Sequence, residues 1–216
     1  MLFDQPESWR VRNHQVIHTG HIVALARDEV VSPARETLSR ELCQHPGSVA
    51  ILAIDDHDRV AVVRQYRHPV RMRLVEPPAG LLDIPGEAPW DAAKRELAEE
   101  AQLAGANWAV LADYYCSPGI TNEVARIFLA TGLSPAPRPN DFAAHGEEVD
   151  MGLAWVPVDE LLAGVNAGLV GNAALVVGIT ALCLARAQNR LDQLRPPDAA
   201  WPAHERAVKQ SSGQLQ

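Results

Sequence analysis

The chain has 216 residues, 47% of them hydrophobic and 21% charged, a composition that suits a soluble globular protein with a real core and excludes a disordered chain. Its formal net charge of -8 argues against a general nucleic-acid binder, which presents a basic face to phosphates. An anionic small molecule stays open as a ligand, because a bound metal ion inverts the local field.

Along the chain, MLFDQPESWRV places Asp4, Pro6 and Glu7 where a signal peptide needs an apolar run. VIHTGHIVALARDEVV and ETLSRELCQHPG then alternate apolar and polar residues in short runs, which predicts antiparallel strands joined by turns. SVAILAID and RVAVVRQYR, separated by Asp55-Asp56-His57-Asp58, read as a hairpin of buried strands. After Pro77-Pro78-Ala79-Gly80 the period changes. PWDAAKRELAEEAQL is helical, with Trp90, Ala93, Leu97 and Ala101 on one side and Pro89 in the first turn, where a missing N–H costs nothing.

Further strands are expected at WAVLADYYC, EVARIFLATG and MGLAWVP, with the Pro-rich LSPAPRPNDFAAHGEE as a long loop. Leu161 to Ala185 carries no charge and is long enough to span a bilayer. Gly164, Gly168, Gly171 and Gly178 interrupt it, and GLVGN reads as a turn with Asn172 capping a buried core helix that runs to about Asn189. The tail from Arg195 has a linker's composition and is expected to be flexible. Cys43, Cys116 and Cys183 lie far apart in no ligand spacing and read as reduced thiols of a cytoplasmic protein. The eight histidines, among them His14, His18 and His21, show no metal spacing, and Trp108 and Trp155 read as core. Strands and helices that mix without strict alternation predict an α+β or mixed α/β fold. GxGxxG and Walker patterns are absent, so a nucleotide would be held in another way.

Residues 80 to 103, GLLDIPGEAPWDAAKRELAEEAQL, concentrate the chemistry. Glu96 and Glu100 stand four apart, so a helix projects them from one face, and Arg95 and Glu99 form a second such pair beside them. Neighbouring carboxylates repel unless a cation lies between them, and hard oxygen ligands of this kind suit Mg²⁺ or Mn²⁺. A glutamate-rich helix by itself is equally a solvated face. Gly80, Glu87, Arg95, Glu96, Glu99 and Glu100 in one short segment form a rarer combination.

That string resembles the box of the Nudix hydrolase family, GX5EX7REUXEEXGU with U aliphatic. Glu87 is followed by seven residues and then by Arg95-Glu96-Leu97, Glu99-Glu100 follow, and Leu103 closes the box. Six residues instead of five separate Gly80 from Glu87, and Gln102 replaces the family's glycine. Glycine would stop the helix in a left-handed conformation, so with Gln102 the helix is expected to run on towards Gly105. RQYRHPV, EPPAG, YYCSPGITNE and HGEEVDM resemble the ADP-ribose pyrophosphatase branch, bacterial type, over roughly residues 14 to 187.

The resemblance implies an α/β/α sandwich over residues 46–190, preceded by a small N-terminal antiparallel β region (1–45) that serves dimerisation; the remaining 191–216 is the flexible tail expected from composition. It implies metal-dependent hydrolysis of ADP-ribose or a related ADP-sugar to AMP and ribose 5-phosphate by a homodimer. No membrane or nucleic-acid partner is expected. Glu96 and Glu100 match metal-binding glutamates, the backbone carbonyl of Ala79 an additional ligand, and Glu99 a contributor to a further ion or a support of the cluster. Arg95 and Glu87 match structural residues that orient the carboxylates. Arg67 matches an arginine on the substrate diphosphate, Glu123 a contact to the terminal ribose, and Trp9 an aromatic residue that stacks on adenine or simply packs. Glu148 is the expected base for the attacking water, with Glu147 as the alternate. A GDP-mannose or other nucleoside diphosphate sugar diphosphatase, and a Nudix module that binds nucleotide without turnover, are the competing readings.

Overall fold

A computed structural model of the chain describes residues 2–139 and 151–211. The chain divides into two compact units. One comprises the residues up to 47, 115–124 and those from 201 onward; the other comprises 48–114 and 125–200.

The larger unit is an α/β/α sandwich, and its central strand shows why. In β4 (Ser48–Ala53) every position after Ser48 is apolar, and all of them are buried. Val49, Ile51 and Ala53 pack in one cluster with Ala92, Ala93, Leu97 and Ala101 of helix α1 (Pro89–Ala101). Leu52 and Ala50 pack in another with Leu161 of α2 (Val158–Asn166) and Leu175, Ile179 and Leu182 of α3 (Ala173–Ala187). A strand covered on both faces needs an unbroken apolar run, which is what SVAILA supplies. β4 lies parallel to β9 (Val124–Pro135) and antiparallel to β7 (Ala79–Leu81), and β8 (Leu103–Tyr115) completes the order β7-β4-β9-β8. A second, antiparallel sheet runs β10-β5-β6, from Gly152–Pro157, Arg59–Arg67 and Met72–Glu76.

The expected hairpin of SVAILAID and RVAVVRQYR is therefore corrected. The two strands follow a tight turn and share one bridge, Ile54 with Val60, and then diverge into different sheets. Both are apolar on two faces, and a simple hairpin would leave half of that surface without cover.

α1 begins as expected at Pro89, with Asp91 in its first turn, and its small alanines let it approach the sheet closely. Its end differs from the expectation that Gln102 would let the helix continue. Gln102 itself adopts the left-handed conformation, φ 54° and ψ 42°, with its N–H directed to the Ala98 and Leu97 carbonyls. The cap survives without glycine because the chain must turn at once into β8. The Ala136 N–H donates to the Gln102 carbonyl at 2.9 Å, which helps to hold the turn.

The long uncharged stretch is broken where GLVGN predicted a turn, with Gly168 at φ 70°. The Asn172 side chain accepts from the Leu175 N–H at 3.0 Å and starts α3. Among the described residues no helix is long and apolar enough to cross a membrane. α2, which periodicity did not single out, starts directly after Pro157 with Asp159 and Glu160 in its first turn.

The described residues after 191, in the segment expected to be a flexible tail, carry a helix and defined contacts. In the larger unit, the Arg195 carbonyl accepts from Val110 N–H at 2.8 Å, and the buried Arg126 donates to the carbonyls of Ala199 and Ala200. In the smaller unit, α4 (Pro202–Ser211) follows the buried Trp201. Trp201 and Ala207 are buried although they are scattered among polar residues.

The smaller unit is a meander of β1 (Arg10–Thr19), β2 (Ala24–Val31) and β3 (Thr37–Gln44). Within these strands only Ala26 and Gln44 are buried, so apart from Ala26 the apolar positions of the alternating runs are half-buried or exposed. Asn122 links its pieces: its side-chain oxygen accepts from the His45 N–H at 2.8 Å and its amide donates to the Ala207 carbonyl at 3.2 Å.

Candidate active site

The glutamates of α1 gather around Arg95 and the short strand β7. The Arg95 Nε and Nη2 donate to the two carboxylate oxygens of Glu87 at 2.9 and 3.0 Å, a bidentate grip on the loop before the helix. Its Nη1 donates to Glu96 at 2.6 Å and to Glu99 at 3.1 Å. Hydrogen bonding to Glu87, working against burial and helped by Glu96, raises the Arg95 pKa above its ordinary value, so the guanidinium stays charged. The extra residue between Gly80 and Glu87 is absorbed in the loop. A turn closes there from the Glu87 N–H to the Ile84 carbonyl, with Gly86 at φ 83°.

Glu100 and Glu96 meet consecutive residues of β7. The Ala79 N–H donates to Glu100 at 2.9 Å. A Cβ added at Gly80 would stand 1.9 Å from an Glu96 carboxylate oxygen. The glycine of EPPAG is thus required by a close approach: only its bare backbone admits the Glu96 carboxylate. Of the residues expected to bind metal, Glu96 and Glu100 thus lie against β7 at Gly80 and Ala79, while Glu99 lies against Arg95.

Carboxylate oxygens beside the backbone of Ala79 and Gly80, in a cradle that a side chain at residue 80 would fill, are donors that could hold a hard divalent cation. As arranged, Glu96 and Glu99 turn to Arg95 and Glu100 to the Ala79 amide. Among the described residues no three His, Cys, Asp or Glu side chains form a chelating group.

Arg67, at the end of β5, is held by a partner that sequence reading did not assign. Glu76 of β6 is 2% exposed and receives the Arg67 Nε at 3.0 Å and Nη2 at 2.6 Å. The signal was present in EPPAG, whose acidic residue lies nine positions after Arg67 across a hairpin. A second unassigned contact is from Arg138, whose Nε donates to the Glu99 carbonyl at 2.9 Å near the C-terminal end of α1. Nothing in the sequence of that Pro-rich stretch pointed to it.

Trp9 and Glu123 belong to the smaller unit. The Trp9 indole donates to Glu7 at 2.8 Å and lines an open groove of about 790 Å³ with Tyr115, Ile120 and Arg206. Glu123 lies 3.9 Å from His45 Nδ1. Burial lowers the pKa of His45, while Glu123 opposes the shift. Glu147 and Glu148 lie outside the described residues.

The sandwich and the Arg95 cluster define a class before any particular relative is considered: an α/β/α fold with a glutamate helix laid against a Gly-containing strand. A solved structure of an ADP compounds hydrolase shares this fold, with a TM-score of 0.70 at 16% identity, covering 88% of this chain and 100% of its own. A family model for the NUDIX domain matches residues 44–172, and the chain belongs to the Nudix family. It is 42% identical over 187 residues to an ADP-ribose pyrophosphatase of Mycobacterium tuberculosis, covering 87% of this chain and 88% of the relative. It is also 33% identical over 171 residues to a methanol dehydrogenase activator of Bacillus methanolicus, covering 79% and 90%. Its chemistry is that of a Nudix-fold hydrolase acting on a nucleoside diphosphate-linked substrate.

Proposed function

We propose that this protein hydrolyses the diphosphate of ADP-ribose, or of a closely related ADP-sugar, to AMP and ribose 5-phosphate. The observation that carries the reaction is the meeting of Glu96 and Glu100 with the Ala79–Gly80 backbone. The choice of ADP-ribose is supported by the name of the 42% identical mycobacterial relative.

A diphosphate resists attack because its oxygens already carry negative charge. Glu96, Glu99, Glu100 and the Ala79 carbonyl would hold Mg²⁺ or Mn²⁺, which supplies charge neutralisation of the diphosphate and acidification of bound water. Arg67 binds the diphosphate through a planar fork suited to phosphate oxygens. Arg95 and Glu87 keep the carboxylates oriented. Glu148, with Glu147 as the alternate, takes the proton of the attacking water. Glu123 contacts the terminal ribose, and Trp9 offers a stacking face for the adenine.

The protein is further proposed to act as a cytoplasmic homodimer. Val16, Ile17, Ile22, Val23 and Leu25 expose a run of apolar surface where β1 meets β2, and this supports the N-terminal strands as the dimer surface. Light scattering on a sizing column checks the mass.

Product analysis with ADP-ribose, GDP-mannose and NADH, each with Mg²⁺ or Mn²⁺ and with chelator, tests the function. AMP released from ADP-ribose well ahead of the other two, and lost with chelator, is the expected result. Preferred hydrolysis of GDP-mannose would overturn the substrate. Tight binding without turnover of any of them would overturn the enzyme.

A further inference from the structure

Arg67 lies side-on against Glu76, with Nε and Nη2 both engaged by the carboxylate. The carboxylate side is 3% exposed and the guanidinium side 44%, so the pair is a buried grip on a group that faces outward. A hairpin that needed only stability would be served as well by two packed apolar side chains. What the ion pair adds is direction, because a fork held along one edge has a fixed plane.

The same grip begins the segment that meets the glutamate helix. After Glu76 come two prolines with fixed φ. The Pro78 carbonyl accepts from the Ile51 N–H of β4 at 2.8 Å. The next N–H, of Ala79, donates to Glu100, and Gly80 admits Glu96. Residues 76–80 therefore hold Arg67 at one end and the helix carboxylates at the other, and the middle is anchored to the buried central strand.

We infer that Glu76 is a positioning residue. It sets the plane of Arg67 relative to Glu96 and Glu100, so that one extended diphosphate meets both. This rests on the reading of Arg67 as a diphosphate contact.

A double-mutant cycle on the full chain tests it, using whichever of ADP-ribose and GDP-mannose is hydrolysed with Mg²⁺. The variants are Glu76→Gln, Glu76→Asp, Arg67→Ala and the double Glu76→Gln/Arg67→Ala, with thermal unfolding followed for each. Glu76→Gln is expected to raise KM about tenfold while kcat falls less than about threefold, as for loss of a group that orients a contact residue. In the Arg67→Ala background the same change is expected to add less than about twofold, because the residue it orients is gone. Glu76→Asp, which keeps the charge, should recover part of the KM; if the glutamine variant does not fold, the aspartate variant carries the cycle. Equal effects of the Glu76 change with and without Arg67 would overturn the inference and leave a hairpin staple. A raised KM in Arg67→Ala with a wild-type KM in Glu76→Gln would overturn only the role of Glu76. A wild-type KM in Arg67→Ala would overturn the diphosphate role of Arg67, and hydrolysis of neither substrate would overturn the proposed function, each taking this inference with it.

Discussion

Arg95 and Arg126 lie in the same compact unit, and each is held by several partners, yet their surroundings differ in kind. Arg126 is 2% exposed and is bound by Asp113 and by the carbonyls of Ala199 and Ala200, while Arg195 shares the same aspartate. There two guanidiniums meet one carboxylate, and the product is a clasp on the chain after Arg195. Arg95 is more open and has Glu87, Glu96 and Glu99 around it. There three carboxylates meet one guanidinium, on a helix that presents a fourth, Glu100, to the backbone of Ala79. The clasp is left positive, with its second arginine facing solvent; the helix cluster is left negative, as a site for a cation needs to be. The difference separates an arginine that closes a clasp on the chain from one that gathers carboxylates on one helix.

The largest expected effect tests the clasp. Arg126→Ala should destabilise the protein by about 3 kcal/mol, since it removes a buried side chain and leaves two carbonyls and part of a carboxylate without their donor. Urea unfolding monitors it, and a loss below about 1 kcal/mol would place the stability of the C-terminal segment elsewhere. Glu100→Gln should act in the opposite sense. Its amide oxygen still accepts from Ala79, so the unfolding midpoint should hold, while turnover should fall by at least about 100-fold, beyond what losing a group that merely orients a metal ligand costs. Near wild-type turnover would sink the metal assignment.

Gly80→Ala is expected to cost turnover about tenfold with little change in stability. The added methyl can only displace the end of the Glu96 side chain, which is an inexpensive move for the fold and a misplacement for the chemistry. Steady-state rates and thermal unfolding on one preparation separate the two. The smallest effect is at the end of the same helix. Gln102→Gly should stabilise the protein by about 0.5–1 kcal/mol, because glycine adopts φ 54° without the steric cost that a side chain bears. A lower unfolding midpoint would show that the glutamine side chain makes a compensating contact.

Much of the site could be read from residues 80–103, because the spacing of carboxylates on a helix is a local property. Arg95 with Glu99, and Glu96 with Glu100, follow from 3.6 residues per turn wherever the helix lies. The need for Gly80 was legible only as part of a motif; its reason, the Glu96 carboxylate against its backbone, depends on how α1 packs on β7. Glu76 and Arg138 escaped reading because each acts on a residue distant in sequence, at Arg67 and Glu99. Pattern also failed where few apolar residues do the anchoring, as at Trp201.

By itself the sequence determined most strand and helix types (though not α2 or α4), the break at GLVGN, and the set of acidic residues on one helix, since these rest on periodicity and on backbone preferences within a few residues. Only the tertiary structure decided that SVAILA and RVAVVRQYR part into separate sheets, that Gln102 turns the chain without glycine, and that Arg126 finds the carbonyls of Ala199 and Ala200. Each of those outcomes is set by surface that must be buried, or by a buried donor that must find an acceptor, on an element far along the chain.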